Sequence, residues 1–508
     1  MPLETTIANH WLISGVIAAS LLAIAVLYSI LHSLRYVRTS QAAVAWTVAL
    51  IALPILALPL YWIFARNRFE GYREAIRDVT LQHQQATHTI HHALRTESYV
   101  RSTNQQTPLE QIADVLDTEL SHAEDCKLLI DGDAFFRDLF DAIDSAERYI
   151  YVEFFIIRDD QLGNKFADRL IAQAKRGVCV RVVYDEVGCL RLSSTYLRRL
   201  QDAGVDVHPF NTRQGWVNRF QINFRNHRKL LVVDGTTAIV GGLNVGDEYL
   251  GPSSEMGPWR DTGVRVRGPV AHKVQAVFAG DYYWAARKNL PEAEISVAPS
   301  DSMAVDLAEP EVEARDREGN RASRIALDGW NAACCATGPS DLRPRATMMF
   351  SSLAASAESR LWICTPYLVP DEASIVALHM ARARGVDVRI LIPGKADHLG
   401  VFLAGFHYEL EFAEAMIPVY RYTAGFMHQK CVLVDSSLAL IGSTNLDNRS
   451  LHLNFELMLA LDDPRIVQDV ATMLEEDFRN ASKFEDVPTR WWFERAGTAV
   501  ARLFSPIL

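Results

Sequence analysis

The sequence has few features that would bind a metal, a nucleotide or a nucleic acid. Its seven cysteines show no metal-type spacing, and their odd number and apolar settings indicate free thiols in a reducing compartment. No glycine-rich phosphate loop is present. The net charge of −11 lacks the basic excess that a nucleic-acid surface needs. We therefore expect no cofactor, no metal ion and no nucleic-acid partner.

Charge is also missing from two long apolar segments near the N-terminus. Residues 11–31 and 42–65 contain no charged side chain, and each segment is long enough to cross a bilayer core of about 30 Å. A short polar turn with Arg35 and Arg38 separates them, which predicts a transmembrane helical hairpin. A cleaved signal peptide is the alternative for the first segment. Against it, residues 1–10 contain Glu4 and no lysine or arginine.

The arginines around these segments indicate an orientation. Four arginines follow the second segment, namely Arg66, Arg68, Arg73 and Arg77. The turn between the segments contains two, Arg35 and Arg38. The positive-inside rule then predicts that the turn is external and that both termini are cytoplasmic.

One polar pattern occurs twice, about 200 residues apart. In both copies lysine follows histidine by two positions, aspartate by seven, glycine by 14 and asparagine by 17. The copies are His227, Lys229, Asp234, Gly241 and Asn244, and His428, Lys430, Asp435, Gly442 and Asn445. A single pair of this kind is as often a surface feature as a site. The matched spacing indicates an internal duplication.

Strand geometry predicts which of these side chains act together. If residues 226–233 form one strand, His227 and Lys229 share a face, because side chains alternate along a strand. The apolar run after Lys229 is typical of a strand buried on both faces. Asp234 falls at the turn that follows, where it is better placed to brace the backbone than to meet a substrate. The second copy has the same layout.

Two histidines and two lysines suit attack on a phosphodiester. A neutral imidazole is a competent nucleophile, and a second, protonated imidazole (an imidazolium) can protonate the leaving alkoxide. The reacting phosphorus is surrounded by charged oxygens, which need fixed positive charge and hydrogen-bond donors. Lys229, Lys430, Asn244 and Asn445 can supply them. Ser443 can also donate to a phosphate, whereas position 242 is glycine.

The duplicated pattern resembles the HKD motifs of the phospholipase D superfamily. Shorter stretches narrow the resemblance to bacterial cardiolipin synthases and extend it over nearly the whole chain. They are residues 226–229, 241–249, 259–262, 365–371, 445–450 and 453–456. The chain departs from the family pattern at Cys189, Met416 and Gln429, none of which is a catalytic position. The resemblance implies that Asp261 and Glu456 hydrogen-bond the imidazoles and fix their tautomers.

We therefore expect an α/β fold with two phospholipase-D-like repeats about a pseudo-twofold axis, preceded by the transmembrane hairpin. The segments are the hairpin at 1–66, a juxtamembrane linker at 67–127, the first repeat at 128–290, an acidic insert at 291–335, the second repeat at 336–482 and an aromatic tail helix at 483–508. The tail either docks on the core or lies at the membrane interface. Basic and aromatic residues between 207 and 233 form either an ordinary loop or a lip that gathers anionic headgroups.

The resemblance implies a cardiolipin synthase of the bacterial inner membrane. It would transfer a phosphatidyl group between two phosphatidylglycerol molecules through a phosphatidyl-histidine. His227 would be the nucleophile and His428 the general acid and base. A phospholipase D that uses water or another alcohol is the rival within the same class. A non-catalytic lipid-binding scaffold is disfavoured by the two intact motifs. The oligomeric state and the preferred lipids stay open.

Overall fold

The computed structural model describes residues 2–37, 39–65, 69, 71–76, 106–212, 223–251, 256–291, 312–315, 321–324, 330–397, 399–484 and 498. The predicted aromatic tail lies almost wholly outside these residues, as do residues 213–222 of the basic-aromatic stretch and most of the acidic insert.

The elements are numbered in chain order. The helices are α1 (Pro2–Tyr36), α2 (Ser40–Ala52), α3 (Pro54–Phe64), α4 (Pro108–Val115), α5 (Asp131–Asp144), α6 (Gln161–Lys175), α7 (Ser194–Asp202), α8 (Val270–Ala286), α9 (Arg345–Ser356), α10 (Glu372–Ala383), α11 (Leu399–Glu414), α12 (Asn448–His452) and α13 (Pro464–Arg479). Residues 71–76 are also helical.

The strands are β1 (Leu120–Ala123), β2 (Asp125–Ile130), β3 (Tyr149–Phe154), β4 (Cys179–Asp185), β5 (Asp206–Phe210), β6 (Arg225–Asn226), β7 (Leu230–Val233), β8 (Thr237–Gly241), β9 (Trp259–Arg260), β10 (Thr262–Arg267), β11 (Val312–Arg315), β12 (Arg321–Arg324), β13 (Trp330–Thr337), β14 (Arg360–Cys364), β15 (Leu368–Val369), β16 (Asp387–Pro393), β17 (Val419–Tyr422), β18 (Phe426–Met427), β19 (Cys431–Val434), β20 (Leu438–Gly442), β21 (Leu446–Asp447), β22 (Asn454–Leu461) and β23 (Ala481–Lys483).

Two mixed sheets form the body of the protein. The first has the order β2-β10-β8-β7-β3-β4-β5, and the second contains β13-β22-β20-β19-β14-β16-β17 between the edge strands β1 and β23. Each series of seven strands contains six pairings. In both series the first four pairings are antiparallel and the last two are parallel. The α/β prediction is therefore confirmed, and the seven strands of the first sheet have counterparts in the same order in the second.

Equivalent strand–helix–strand units follow the same local rules. In α6 the cap residue Asp160 accepts a hydrogen bond from the N–H of Gly163, and in α10 Asp371 accepts one from Ser374, at 2.9 Å in both cases. Each helix is followed by a glycine with φ of +92°, Gly177 in the first half and Gly385 in the second. A left-handed residue at this point ends the helix and returns the chain to the next parallel strand.

Three apolar cores lie on the faces of the two sheets. The central core joins the sheets to each other and combines side chains such as Val240 and Val264 with Ile441 and Leu459. Outer cores fill the space beneath α5–α7 in the first half and beneath α9 and α10 in the second. Because the central core takes side chains from both sheets, the two halves share one hydrophobic interface.

The predicted strand through each histidine is interrupted. The backbone of residues 227–229 is not in a strand, and β6 before it pairs with β22 of the second sheet, whereas β7 after it pairs with β3 and β8 of the first. The chain changes partners at His227, and alternation along one strand does not apply there. β18 leaves its own half in the same way and pairs with β9.

Two predicted boundaries also differ from the elements observed. The predicted linker contains α4 and β1, which join the second half, because Leu109, Ile112 and Leu116 are buried in its outer core. Residues 330–335, expected in the acidic insert, form most of β13, the counterpart of β2.

The N-terminal part has one helix long and apolar enough to cross a membrane, within Trp11–Tyr36. The second apolar segment forms two shorter helices, α2 and α3, so the uninterrupted span expected at 42–65 is wrong. Pro54 has no N–H for the helix, and Leu53 before it leaves the helical region at φ −137° and ψ 59°. Both short helices still pack on α1, where the indole of Trp62 donates to Ser29 Oγ at 3.1 Å.

A buried arginine ties this N-terminal part to both halves. The guanidinium of Arg228 pairs with Asp281 of α8 and donates to the carbonyls of Thr337 and Glu456 in the second half. The hydroxyl of Tyr72, in the helical turn of residues 71–76 that follows α3, donates to the same Asp281 at 2.6 Å. Burial raises the pKa of Tyr72, and the nearby Asp281 raises it further.

We expect Arg228→Met to destabilise the protein strongly. Removing one partner of a buried ion pair leaves the other charged and unpaired, which costs about 3–5 kcal/mol. The thermal midpoint of the full-length protein in detergent measures this loss. Arg137→Met is the matched control, because Arg137 is exposed on α5. Equal midpoints for the two variants would show that the Arg228 pair does not hold the parts together.

Candidate active site

Each histidine is held by the half of the protein to which it does not belong. The backbone N–H of His227 donates to the carbonyl of Phe455 at 2.9 Å, and the backbone N–H of His428 donates to the carbonyl of Arg260 at 2.7 Å. Phe455 and Arg260 immediately precede the acidic residues Glu456 and Asp261. The chain thereby brings each imidazole to the carboxylate of the opposite half.

The imidazole of His227 pairs with Glu456. Its Nδ1 lies 3.0 Å from both carboxylate oxygens. Glu456 is completely buried and also accepts hydrogen bonds from Ser443 Oγ at 2.5 Å and Asn454 Nδ2 at 3.2 Å. Among the described residues Nε2 of His227 has no hydrogen-bond partner. This arrangement fixes the tautomer with the proton on Nδ1 and leaves the lone pair of Nε2 available.

The imidazole of His428 pairs with Asp261 in the equivalent way. Its Nδ1 lies 2.8 Å from Asp261 Oδ2. Lys430 adds a contact that the first half lacks, since its Nζ lies 2.6 Å from Nδ1 and 3.2 Å from Nε2 of the same ring. The sequence-based roles of Asp261 and Glu456 as imidazole partners thus correspond to observed contacts, but each acid serves the other motif rather than its own.

Burial favours the neutral form of both imidazoles. It lowers the pKa of His227 to about 4; the carboxylate of Glu456 opposes this shift and the ammonium of Lys229 adds to it. Burial and Lys430 lower the pKa of His428, against the opposing effect of Asp261. Burial by itself raises the pKa of Glu456, but His227, Lys229 and Ser443 together bring this pKa below its usual value. The shifts therefore favour a neutral imidazole at His227 beside an ionised Glu456.

The two motif lysines are buried beside the histidines. Lys229 Nζ donates to the carbonyl of His227 at 2.6 Å, and Lys430 Nζ donates to that of His428 at 2.5 Å. Burial lowers the pKa of Lys229 well below its usual range and also lowers that of Lys430, while Glu456 and Asp261 oppose both shifts. Positive charge that is costly to bury gives the site an affinity for an anion.

The residues expected to bind phosphate have protein partners. Asn244 donates to the hydroxyl of Tyr249 at 2.9 Å and accepts from the N–H of Ile156 at 3.1 Å. Asn445 donates to Asp447 at 3.2 Å. Each amide keeps one N–H for another acceptor. The hydroxyl of Ser443 has a single hydrogen to donate, and its oxygen lies 2.5 Å from a carboxylate oxygen of Glu456. The hydroxyl therefore donates to this carboxylate and not to a phosphate.

Gly242, the counterpart of Ser443, shows why the two halves differ. A Cβ added at Gly242 would lie 2.2 Å from Oδ1 of Asp261. The carboxylate of Asp261 therefore occupies the space that a side chain at position 242 would need. A hydroxyl supports the carboxylate in the second half, whereas a glycine makes room for it in the first.

The motif aspartates lie at the far end of their strands from the histidines. Asp234 accepts hydrogen bonds from the backbone N–H groups of Glu147, Arg148 and Tyr149. Asp435 accepts from those of Glu358, Ser359 and Arg360. The structure does not bring either carboxylate to an imidazole. Both hold the start of the neighbouring strand, as their turn position indicates, although the motif groups them with the catalytic residues.

Aromatic rings that sequence reasoning did not assign surround the histidines. The ring centroid of Phe155 lies 5.0 Å from that of His227, and those of Trp259 and Phe426 lie 5.2 and 5.9 Å from that of His428. The ring centroid of Tyr367 lies 6.3 Å from that of His428, and its hydroxyl donates to Asp397 at 2.5 Å. Phe155 directly follows the parallel strand β3, and the carboxyl ends of parallel strands commonly line sites. The position of Phe155 at the end of a predicted strand could therefore have identified it as a site residue from the sequence.

Within the described part of the chain, no group of three or more histidine, cysteine, aspartate or glutamate side chains could hold a metal ion. The cysteines among these residues are all free thiols, and Cys179 is exposed.

Comparison with known proteins connects this geometry to a family. Residues 139–281 and 351–478 match the family model described as the cardiolipin synthase, PLD-like domain. Cardiolipin synthase A of Pseudomonas fluorescens is 38% identical over 486 residues, which cover 95% of this chain and 96% of that protein. Cardiolipin synthase A of Pseudomonas putida is 40% identical and covers 94% of this chain and 95% of its own.

A solved structure supports the fold. The crystal structure of phosphatidylserine synthase from Haemophilus influenzae superposes with a TM-score of 0.58 at 17% identity, over 79% of this chain and all of that one. At this identity the likeness concerns the fold alone.

We expect Asp234→Ala and Asp435→Ala to lower stability while turnover per folded molecule is retained. Each change removes three backbone hydrogen bonds and puts alanine at a φ near +50°, a combined loss of roughly 2–4 kcal/mol. Thermal unfolding and turnover should be measured on the same preparations. Asp234→Asn and Asp435→Asn are the controls, since asparagine tolerates this φ and keeps one acceptor oxygen. Unchanged stability with lost turnover would instead indicate a direct catalytic role.

Proposed function

The chain belongs to the cardiolipin synthases of the phospholipase D superfamily, and on this premise we propose that it joins two phosphatidylglycerol molecules into cardiolipin and glycerol. The observation that carries the proposal is the pair of crossed contacts, His227 with Glu456 and His428 with Asp261. Because each imidazole takes its carboxylate partner from the opposite half, we propose that the two imidazoles act at one reaction centre between the halves.

The first step is attack by His227. Its neutral Nε2 forms a bond to the phosphorus of the donor lipid, and the bond from phosphorus to the headgroup glycerol breaks. The departing alkoxide takes a proton from Nε2 of His428. A bound anionic phosphodiester favours the protonated form of this imidazole, because a nearby negative charge raises the pKa of a histidine. The product of the step is a phosphatidyl-histidine at position 227.

The second step reverses the proton transfer. His428, now neutral, takes the proton from a glycerol hydroxyl of the second phosphatidylglycerol. The hydroxyl oxygen bonds to phosphorus, the bond from phosphorus to His227 Nε2 breaks, and cardiolipin is released. Lys229 and Lys430 compensate the charge on the phosphoryl oxygens in both steps, and the remaining amide N–H groups of Asn244 and Asn445 are placed in the same motifs to assist them.

The asymmetry of the two histidines supports this division of roles. The pKa of about 4 keeps His227 in its nucleophilic neutral form over the physiological range. Lys430 lies within reach of both ring nitrogens of His428, which makes that imidazole the more constrained of the two and leaves His227 Nε2 the more accessible nucleophile.

Hydrolysis by water is the rival reaction, and the surroundings of the site favour transfer. The side chains of His227 and His428 are only 12% and 9% exposed. Phe155, Trp259 and Phe426 pack against them. Such a lining admits a lipid alcohol and restricts bulk water. The non-catalytic scaffold has no observation in its favour.

We also propose that the two halves are related by a pseudo-twofold axis that passes between His227 and His428. The equivalent strand orders of the two sheets support this relation. So do the reciprocal pairings of β6 with β22 and of β18 with β9. The assigned repeats 128–290 and 336–482 would be the two symmetric units.

Product analysis tests the proposed reaction. Purified full-length enzyme with labelled phosphatidylglycerol should yield cardiolipin and glycerol in equal amounts, and His227→Ala and His428→Ala should each abolish turnover at unchanged folding. The reason is that both imidazoles act on one phosphorus. Phosphatidic acid as the main product would indicate a hydrolase. Substantial turnover by either variant would rule out the two-histidine mechanism.

For the membrane, we propose that α1 and the kinked pair α2–α3 both cross the inner membrane. A proline kink is tolerated in a transmembrane helix when neighbouring groups satisfy the freed backbone. The arginine distribution then places the turn outside and the catalytic part in the cytoplasm.

This orientation can be measured with thiol labelling. Ser40→Cys puts an exposed thiol in the turn, and the native Cys179 is an exposed thiol of the catalytic part. An impermeant maleimide added to intact cells should label Ser40→Cys and leave Cys179 unlabelled until the cells are opened. Labelling of Cys179 from outside would reverse the orientation. Labelling of neither thiol in intact cells, with both labelled after lysis, would contradict the second crossing.

A further inference from the structure

A basic cavity lies outside the catalytic centre and is lined by neither histidine. Its volume is about 440 Å³, within the range of roughly 300–1,000 Å³ typical of small-ligand sites. Its wall combines the juxtamembrane helical turn, helix α8 of the first half and residues 336–345 of the second half. It therefore lies where the membrane segment and both halves meet.

The charges around this cavity favour a single negative charge. Four arginines line the cavity, namely Arg73, Arg228, Arg343 and Arg345. Two acidic residues, Asp117 and Asp341, also line it. Arg228 is already paired with Asp281. The remaining three arginines against two aspartates leave an excess of one positive charge. Among the described residues, neither Arg73 nor Arg343 has an ion-pair partner.

Backbone groups add to this potential. Helix α9 begins at Arg345 in the cavity wall, with no acidic residue in its first turn and no side-chain cap. Free N–H groups and the helix dipole at such an end favour an anion.

The apolar part of the wall indicates the kind of anion. Ile76, Val277 and Leu342 line the same cavity, and Leu342 is 68% exposed. The helical turn of residues 71–76 closely follows the membrane segment, and the N–H of Phe69 beside it donates to the carbonyl of Pro339 at 2.9 Å. A ligand that combines one phosphate charge with apolar surface fits this lining.

We propose that this cavity is a second binding site for an anionic phosphodiester headgroup, separate from the catalytic centre. Its occupant would contact Arg73, Arg343 and the start of α9. Arg228 connects the cavity to the catalytic strand, because its guanidinium lines the cavity and its Nε donates to the carbonyl of Glu456 at 3.1 Å. The site is independent of the proposed reaction, since it uses neither histidine.

Photo-crosslinking of the full-length enzyme in phosphatidylcholine nanodiscs can test this site. The probe is phosphatidylglycerol with a photoreactive group beside the headgroup, and labelled peptides are identified by mass spectrometry. Peptides that contain residues 71–76 and 336–345 should be labelled at least fivefold more by this probe than by the matching phosphatidylcholine probe. Labelling of the peptides around His227 and His428 reports the catalytic centre separately.

Variants make the result specific. Arg73→Gln combined with Arg343→Gln should abolish labelling of the cavity peptides and leave labelling around the histidines intact, and Arg137→Gln should change neither. Equal labelling by both lipids, or labelling that survives the double substitution, would overturn the proposal. Added inorganic phosphate separates the two sources of the anion. Displacement of the cavity label by millimolar phosphate would identify free phosphate as the occupant, and persistence would identify the lipid headgroup.

Discussion

The crossed contact between imidazole and carboxylate is the interaction on which the rest of the structure depends. Neither histidine motif is complete within its own repeat, because Glu456 serves His227 and Asp261 serves His428. The two sheets must therefore pack together before either base is oriented. This requirement explains why the largest apolar core lies between the sheets, and why β6 and β18 leave their own halves to pair across the interface.

Burial and charge act together at these contacts. Burial favours the neutral form of an imidazole and weakens the preference of a lysine for its charged form, so the site holds these groups in costly surroundings. An anionic phosphodiester would relieve that cost at the lysines. The differences between the repeats, glutamate with Ser443 on one side and aspartate with Gly242 on the other, give the two otherwise matching imidazoles different environments.

Much of the fold could be predicted from local patterns. The apolar runs Leu230–Val233 and Cys431–Val434 are strands because four consecutive apolar residues fit a strand buried on both faces. The exchange of partners at His227 could not be predicted, since periodicity carries no information about which half supplies the neighbouring strand. Pro54 indicates the break at Leu53, because proline cannot donate a helical hydrogen bond. The single span was predicted from the apolar content of residues 42–65, which does not register such a break. The role of Ser443 depends on where Glu456 lies in three dimensions, and spacing along the chain does not contain that information.

The crossed contacts orient both imidazoles, and we propose that His227 is the nucleophile because Lys430 lies against both ring nitrogens of His428. The most direct test is rapid quenching of the enzyme with labelled phosphatidylglycerol, followed by mapping of the labelled residue. The label should appear as a phosphatidyl group on His227 that is labile in acid and stable in base, and it should form far more slowly in Glu456→Gln than in the native enzyme. Label on His428 alone would reverse the roles of the two histidines. The absence of label in the native enzyme and in His428→Ala would contradict a covalent intermediate altogether.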